Sequence, residues 1–214
     1  MGPFPHDAPA ATISAGNPMG TDGFEFVEYA HPDPKELHAL FRLMGYAPVA
    51  RHQTKAITLY RQGDINFLVN DEPGSHAYDF VAAHGPCAPS MAFRVVDAEA
   101  AYRRALALGA EPADVPSARK TLDVPAIKGI GGSLLYFVDR YGAKGSAYEA
   151  EFDWLGESDA RPAGAGLFYI DHLTHNVHRG RMDVWTGFYE SCSTFARSAS
   201  SISRAAPPAF SRAR

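Results

Sequence analysis

Between positions 24 and 30, Phe24-Glu25-Phe26-Val27-Glu28-Tyr29-Ala30 alternates with period two, the pattern of a strand with one buried face. Asp33-Pro34-Lys35-Glu36 follows: an N-cap, a proline suited to the first helical position and a capping-box glutamate. Leu37, Leu40, Phe41 and Met44 then lie on one helical stripe, and Gly45 is placed to stop the helix in a left-handed conformation. Strands are predicted at 47–52, 57–61 and 65–69, the last two joined through a Gln62-Gly63-Asp64 turn. A second unit repeats the order. A strand at 91–96 leads to Asp97 as N-cap, a helix through Ala101, Ala105 and Leu108, a stop at Gly109, and strands at 121–127 and 133–138. Two such units in succession predict an internal duplication that closes into one domain at 22–155.

The pattern restarts after a break. Residues 156–166 have linker composition, 167–177 reads as an apolar strand, and Met182, Trp185, Phe188 and Tyr189 form a new helical stripe. Residues 1–21, rich in Pro, Ala and Gly, read as a disordered leader with neither the positive start nor the apolar run of a signal peptide.

Composition narrows the function classes. The 214 residues are 46% hydrophobic and 12% aromatic, enough for a core. The formal charge is −4, and the four arginines and no acids of 191–214 leave −8 for the rest, so no basic footprint for nucleic acid exists. Two cysteines without ligand spacing fit a reducing cytoplasm, and no run approaches a membrane span.

Candidate chemistry centres on 166–178, which holds His172, His175 and His178. In a strand, His172 and His175 fall on opposite faces, so one metal cannot readily take both. Two readings stay open on spacing alone. His172 is either a metal ligand, with Asp171 or a backbone carbonyl orienting nearby groups, or a hydrogen-bonded strand histidine. His6, His31, His38, His52, His76 and His84 lack ligand spacing and are expected in solvated or capping roles. Gly129-Ile130-Gly131-Gly132 is followed by a strand pattern rather than a phosphate-binding helix and reads as a turn. Glu28 has no partner imidazole in matching strands and reads as structural or solvent-facing.

Tyr169 to Val177, with Arg179-Gly180-Arg181-Met182 and Trp185 to Glu190, resembles the bacterial 4-hydroxyphenylpyruvate dioxygenases of the vicinal-oxygen-chelate superfamily. Gly23 to Tyr29, Met91 to Val95 and Leu135 to Gly142 support the resemblance. It implies an α+β fold in which paired βαβββ modules form an open barrel. The first domain (22–155) would not bind metal, and 167–190 would be the first strand and helix of a second, catalytic domain. It further implies Fe(II) held by His172, a second histidine and a glutamate from much later strands, leaving positions for a 2-oxo acid and O2. The implied reaction takes 4-hydroxyphenylpyruvate and O2 to homogentisate and CO2 in tyrosine catabolism, in the cytoplasm, with a homo-oligomer possible and no nucleic-acid or membrane partner. Hydroxymandelate synthase, or a non-catalytic binding or dimerisation module, is the alternative.

After Glu190 the family continues roughly Lys-Leu-Phe-Asn-Phe-Arg-Glu-Ile-Arg, where this chain has Ser191-Cys192-Ser193-Thr194-Phe195-Ala196-Arg197-Ser198. Deleting one adenine from AAG-CTG-TTC-AAC-TTT-CGC-GAG-ATC-CGC produces those eight residues in the shifted frame. Residues 191–214 are therefore expected to be an out-of-frame tail, and the chain an inactive fragment that does not retain iron.

Overall fold

A computed structural model describes residues 11–157 and 160–192, with only the backbone for Ser191 and Cys192. The rest of the expected out-of-frame tail lies outside the described residues, as do 1–10 of the expected leader. Eight strands form a single open sheet in the order β6-β7-β5-β1-β4-β3-β2-β8. The first module is β1 (Thr21–Ala30), α1 (Pro34–Leu43), β2 (Ala47–His52), β3 (Ile57–Gln62) and β4 (Ile65–Asn70). After α2 (His76–His84), the second module runs β5 (Cys87–Val95), α3 (Ala98–Ala107), β6 (Ala126–Lys128) and β7 (Leu134–Val138). β8 (Phe152–Trp154) and α4 (Met182–Cys192) follow.

The duplication is visible in the pairing. Each module sets its first strand parallel to its last, β1 beside β4 and β5 beside β7, and the modules join where β1 and β5 run antiparallel. In the second module the strand corresponding to β2 is reduced to one bridge, Pro112 to Ile127. β8 instead extends the first module's edge by pairing with β2.

One core cluster combines Phe26, Leu59, Leu68, Ala92, Leu134, Tyr136, Tyr148 and Phe152. Because these come from both ends of the strand order, the sheet is curled around them. The other face is covered by helices: α1 through Phe41 against Tyr46, Tyr60 and Val69, and α3 through Ala101 and Ala105 against Phe93, Leu135 and Phe137.

Local signals set the helix starts. Asp33 accepts a hydrogen bond from Lys35 N and Asp97 from Ala100 N, each satisfying an amide that the first helical turn leaves without a partner. The α1 stripe is narrower than expected: Phe41 is buried and Leu37 packs beside it, whereas Leu40 and Met44 remain 47% and 38% exposed.

Three expectations need correction, and one helix was not anticipated. Residues 121–125 are not strand; only Ala126–Lys128 pairs, because Lys120 and Asp123 hold the preceding loop through their own side-chain contacts. The unanticipated helix is α2, which shows no wide apolar stripe, buries only Ala77, and forms on the Ser75 cap that accepts from Tyr78 N. The leader is not all disordered, since Met19 is 1% exposed in the α3-facing cluster. Finally, 167–177 is not a strand: among the described residues no neighbouring strand pairs with it, and a β conformation without a ladder leaves its backbone groups to other partners.

Candidate functional site

The segment 167–177 crosses the helix-bearing face of the sheet. Ile170 packs against the Phe41 cluster, and Leu173 packs with Phe188 and Tyr189 of α4 against the Met91 and Phe93 cluster. Between those two anchors His172 is 73% exposed, with Nδ1 2.9 Å from Asp171 Oδ2. A carboxylate on Nδ1 holds the proton there and leaves Nε2 free to donate its lone pair, the arrangement typical of a metal-binding imidazole.

His175 is half-buried. Its Nδ1 is hydrogen-bonded to the Tyr189 hydroxyl at 3.0 Å, and burial lowers its pKa while raising that of Tyr189. The placement on opposite faces expected for His172 and His175 presupposed a strand. With no strand there, both line one cavity of ≈ 330 Å³ together with Tyr29, Ser90, Met91 and Thr174. Among the described residues no group of three or more His, Cys, Asp or Glu side chains converges as a metal site. The donors present therefore do not by themselves match a two-histidine, one-carboxylate set.

Glu28 is structural rather than solvent-facing. It is 1% exposed, and its carboxyl group accepts hydrogen bonds from Asn70 Nδ2 (2.7 Å), Ser90 Oγ and Thr121 Oγ1. Gly129 to Gly132 is a turn, with Gly131 and Gly132 at positive φ.

The other histidines divide. His31 and His52 cap turns, accepting through Nδ1 from Asp33 N and from Thr54 N. His52 Nε2 lies 3.4 Å from Glu151 Oε2 but without hydrogen-bond alignment, and its pKa is lowered by burial and by Lys55, against the opposing pull of Glu151. His38 is neither solvated nor a cap: its two ring nitrogens are each 2.8 Å from a partner, Tyr60 Oη and Asp71 Oδ2. Those partners lie 22 and 33 residues away, beyond the reach of local spacing.

A family model described as "Hydroxyphenylpyruvate dioxygenase, HPPD, N-terminal" matches residues 15–153. The chain belongs to the hydroxyphenylpyruvate dioxygenase family. A 4-hydroxyphenylpyruvate dioxygenase from Pseudomonas sp. (strain P.J. 874) is 52% identical over 179 residues, 84% of this chain and 50% of the relative. Among solved structures, a xylose isomerase-like TIM barrel/4-hydroxyphenylpyruvate dioxygenase fusion protein is 34% identical with a TM-score of 0.73, covering 88% of this chain and 29% of that one. A variant of 4-hydroxymandelate synthase from Streptomyces coelicolor, 20% identical with a TM-score of 0.61 over 80% of this chain and 52% of its own, shares the fold. The vicinal-oxygen-chelate fold expected from the resemblance is thus the fold observed. The chain spans about half the length of the curated relatives it matches. Among the described residues no helix is long and apolar enough to cross a membrane.

Three groupings escaped sequence reasoning. Buried Glu25 and half-buried Arg94 form an ion pair at 2.6 Å, roofed by the Tyr141 ring. His38, Tyr60 and Asp71 form the network already described. Gln62, with no exposed surface, accepts from two backbone amides of the 156–166 stretch or just beyond it. A polar residue inside a strand reads as solvent-facing unless its distant partner is known, and no local signal marks any of the three.

Proposed function

We propose that this chain is the N-terminal part of a 4-hydroxyphenylpyruvate dioxygenase, an Fe(II) enzyme of the cytoplasm that converts 4-hydroxyphenylpyruvate and O2 to homogentisate and CO2. In this reading residues 22–155 are its non-metal-binding domain, 156–166 the connection, and 167–190 the start of the catalytic domain. The observation that carries the reading is the 52% identity over 179 residues to a dioxygenase of that name, together with the exposed His172 held by Asp171.

In this reading His172 supplies one iron donor through Nε2, and the other two come from outside the residues described here. Bound ferrous iron supplies the site at which a 2-oxo acid and oxygen meet. What this chain contributes is narrower: Asp171 holds Nδ1 and so orients the imidazole with Nε2 turned outward, and the Ile170 and Leu173 anchors hold the backbone on either side of it.

The reading is tested in two arms. The purified 214-residue chain, supplied with ferrous iron, ascorbate and 4-hydroxyphenylpyruvate, is expected to form no homogentisate; turnover would show that it holds a full donor set. Co-expression with the second half of the Pseudomonas relative is expected to restore homogentisate formation, and His172→Ala to abolish it while moving folding stability by less than about 0.5 kcal/mol. Undiminished activity of that variant would remove His172 from the site.

A further inference from the structure

The stretch with linker composition is fastened along its length. Arg61 Nη1 donates to Ala160 O at 3.3 Å, Gly63 N to Pro162 O at 2.9 Å, and Asp64 N to Phe168 O at 3.0 Å. Arg161 Nη1 lies 3.1 Å from Asp64 Oδ1. At the centre, Gln62 Oε1 accepts from Ala165 N at 2.5 Å and from Leu167 N at 3.2 Å, while its Nε2 donates to Met44 O at 3.1 Å. One buried amide thus ties the end of α1, the end of β3 and the crossing chain together.

The backbones lie too close for side chains. A Cβ on Gly45 would meet Ala165 N at 2.6 Å, and one on Gly63 would meet Phe168 Cα at 2.5 Å; both glycines also hold positive φ. The glycines that end α1 and turn β3 into β4 therefore also form the bed on which 163–168 rests. Four residues beyond Phe168 stands His172.

We propose that Gln62 is a positioning residue: by clasping Ala165 and Leu167 it fixes where the His172 segment leaves the first domain. This assigns a task to the domain that binds no metal. A free tether of eleven residues would spread its end over roughly 18 Å, whereas a donor atom must be held to within about 0.5 Å to complete a metal site. The clasp removes that freedom before any second domain is engaged. Its functional meaning rests on the reading of His172 as an iron donor, but its test needs neither metal nor substrate.

The experiment is amide hydrogen exchange on the full 214-residue chain, wild type and three variants. Gln62→Ala removes both acceptor contacts. Ala165→Pro removes a donor from the crossing chain and leaves the domain core intact, which covers the case that Gln62→Ala fails to fold. Gln62→Glu keeps the acceptor for Ala165 and Leu167 and, with its buried carboxyl group protonated, a donor to Met44 O, and serves as the conservative rescue. Wild-type Ala165 and Leu167 amides are expected to exchange at least about tenfold more slowly than free peptide. Leu167 should lose that protection in Ala165→Pro, both amides should lose it in Gln62→Ala, and both should largely keep it in Gln62→Glu. Amides of β1 and β5 should be unchanged in Ala165→Pro, and the ring-nitrogen NMR signals of His175 should shift in Gln62→Ala as the segment is freed. Free-peptide exchange in the wild type, unaltered Leu167 protection in Ala165→Pro, unaltered protection in a folded Gln62→Ala, or a loss in Ala165→Pro spread equally over β1 and β5 would each overturn the proposal. Failure of the co-expression assay would leave the exchange pattern as predicted, so the two ideas fail separately.

Discussion

Glu28→Ala removes the acceptor shared by Asn70 Nδ2, Ser90 Oγ and Thr121 Oγ1 in a place where Glu28 is 1%, Ser90 2%, Thr121 2% and Asn70 5% exposed. Water cannot readily replace the lost partner. Each buried donor left unsatisfied costs about 1–3 kcal/mol; the two hydroxyls can rotate, which favours the lower end, so the expected loss is about 3–5 kcal/mol. Glu28→Gln keeps the volume and one carbonyl oxygen for Asn70 and Thr121. Its new amide can donate to Ser90 Oγ, which accepts equally well, and the expected cost falls to about 1–2 kcal/mol. Urea unfolding of the full chain, followed by circular dichroism, measures both. With a slope of about 2 kcal/mol per molar urea, the alanine variant should lose roughly 2 M of midpoint against less than about 1 M for glutamine. If the alanine variant lies within about 1 kcal/mol of wild type, or glutamine is as damaging as alanine, the carboxyl group is not the keystone of a buried network and the account of Glu28 fails.

Acid should weaken the fold through His52 and His175, whose pKa values burial lowers. The unfolded chain takes up these protons first. Their contribution is therefore complete above the unfolded value of about 6.5 and lost as pH falls through it toward the folded values; a urea midpoint at pH 5 equal to or above that at pH 7.5 would contradict this. For residues 191–214, sequencing the gene beyond the Glu190 codon is expected to show a family-like reading frame restored by one added nucleotide; an intact frame encoding a different tail would refute the frameshift.

Much of the first domain was written locally. The Asp33 and Asp97 caps, the glycine stops, and the alternation of β1 to β4 each act within a few residues, so they remain legible without knowledge of what packs where. The His172 motif was legible for the same reason, as a run of adjacent residues. Signals failed where structure depends on a partner brought from afar. β8 is three residues long and exists because β2 offers an edge, whereas 167–177 has strand composition and no ladder to join. Burial of polar side chains was equally invisible. Gln62, Glu25 with Arg94, and His38 with Tyr60 and Asp71 look like surface residues until the curled sheet supplies partners up to 105 positions away. Sequence alone therefore determined the modules, their order and the histidine that is proposed as an iron donor. Only the tertiary structure decided which strands paired, that His172 and His175 share one cavity, and that the stretch between the units is clasped, because each of these depends on contacts between segments far apart in the chain.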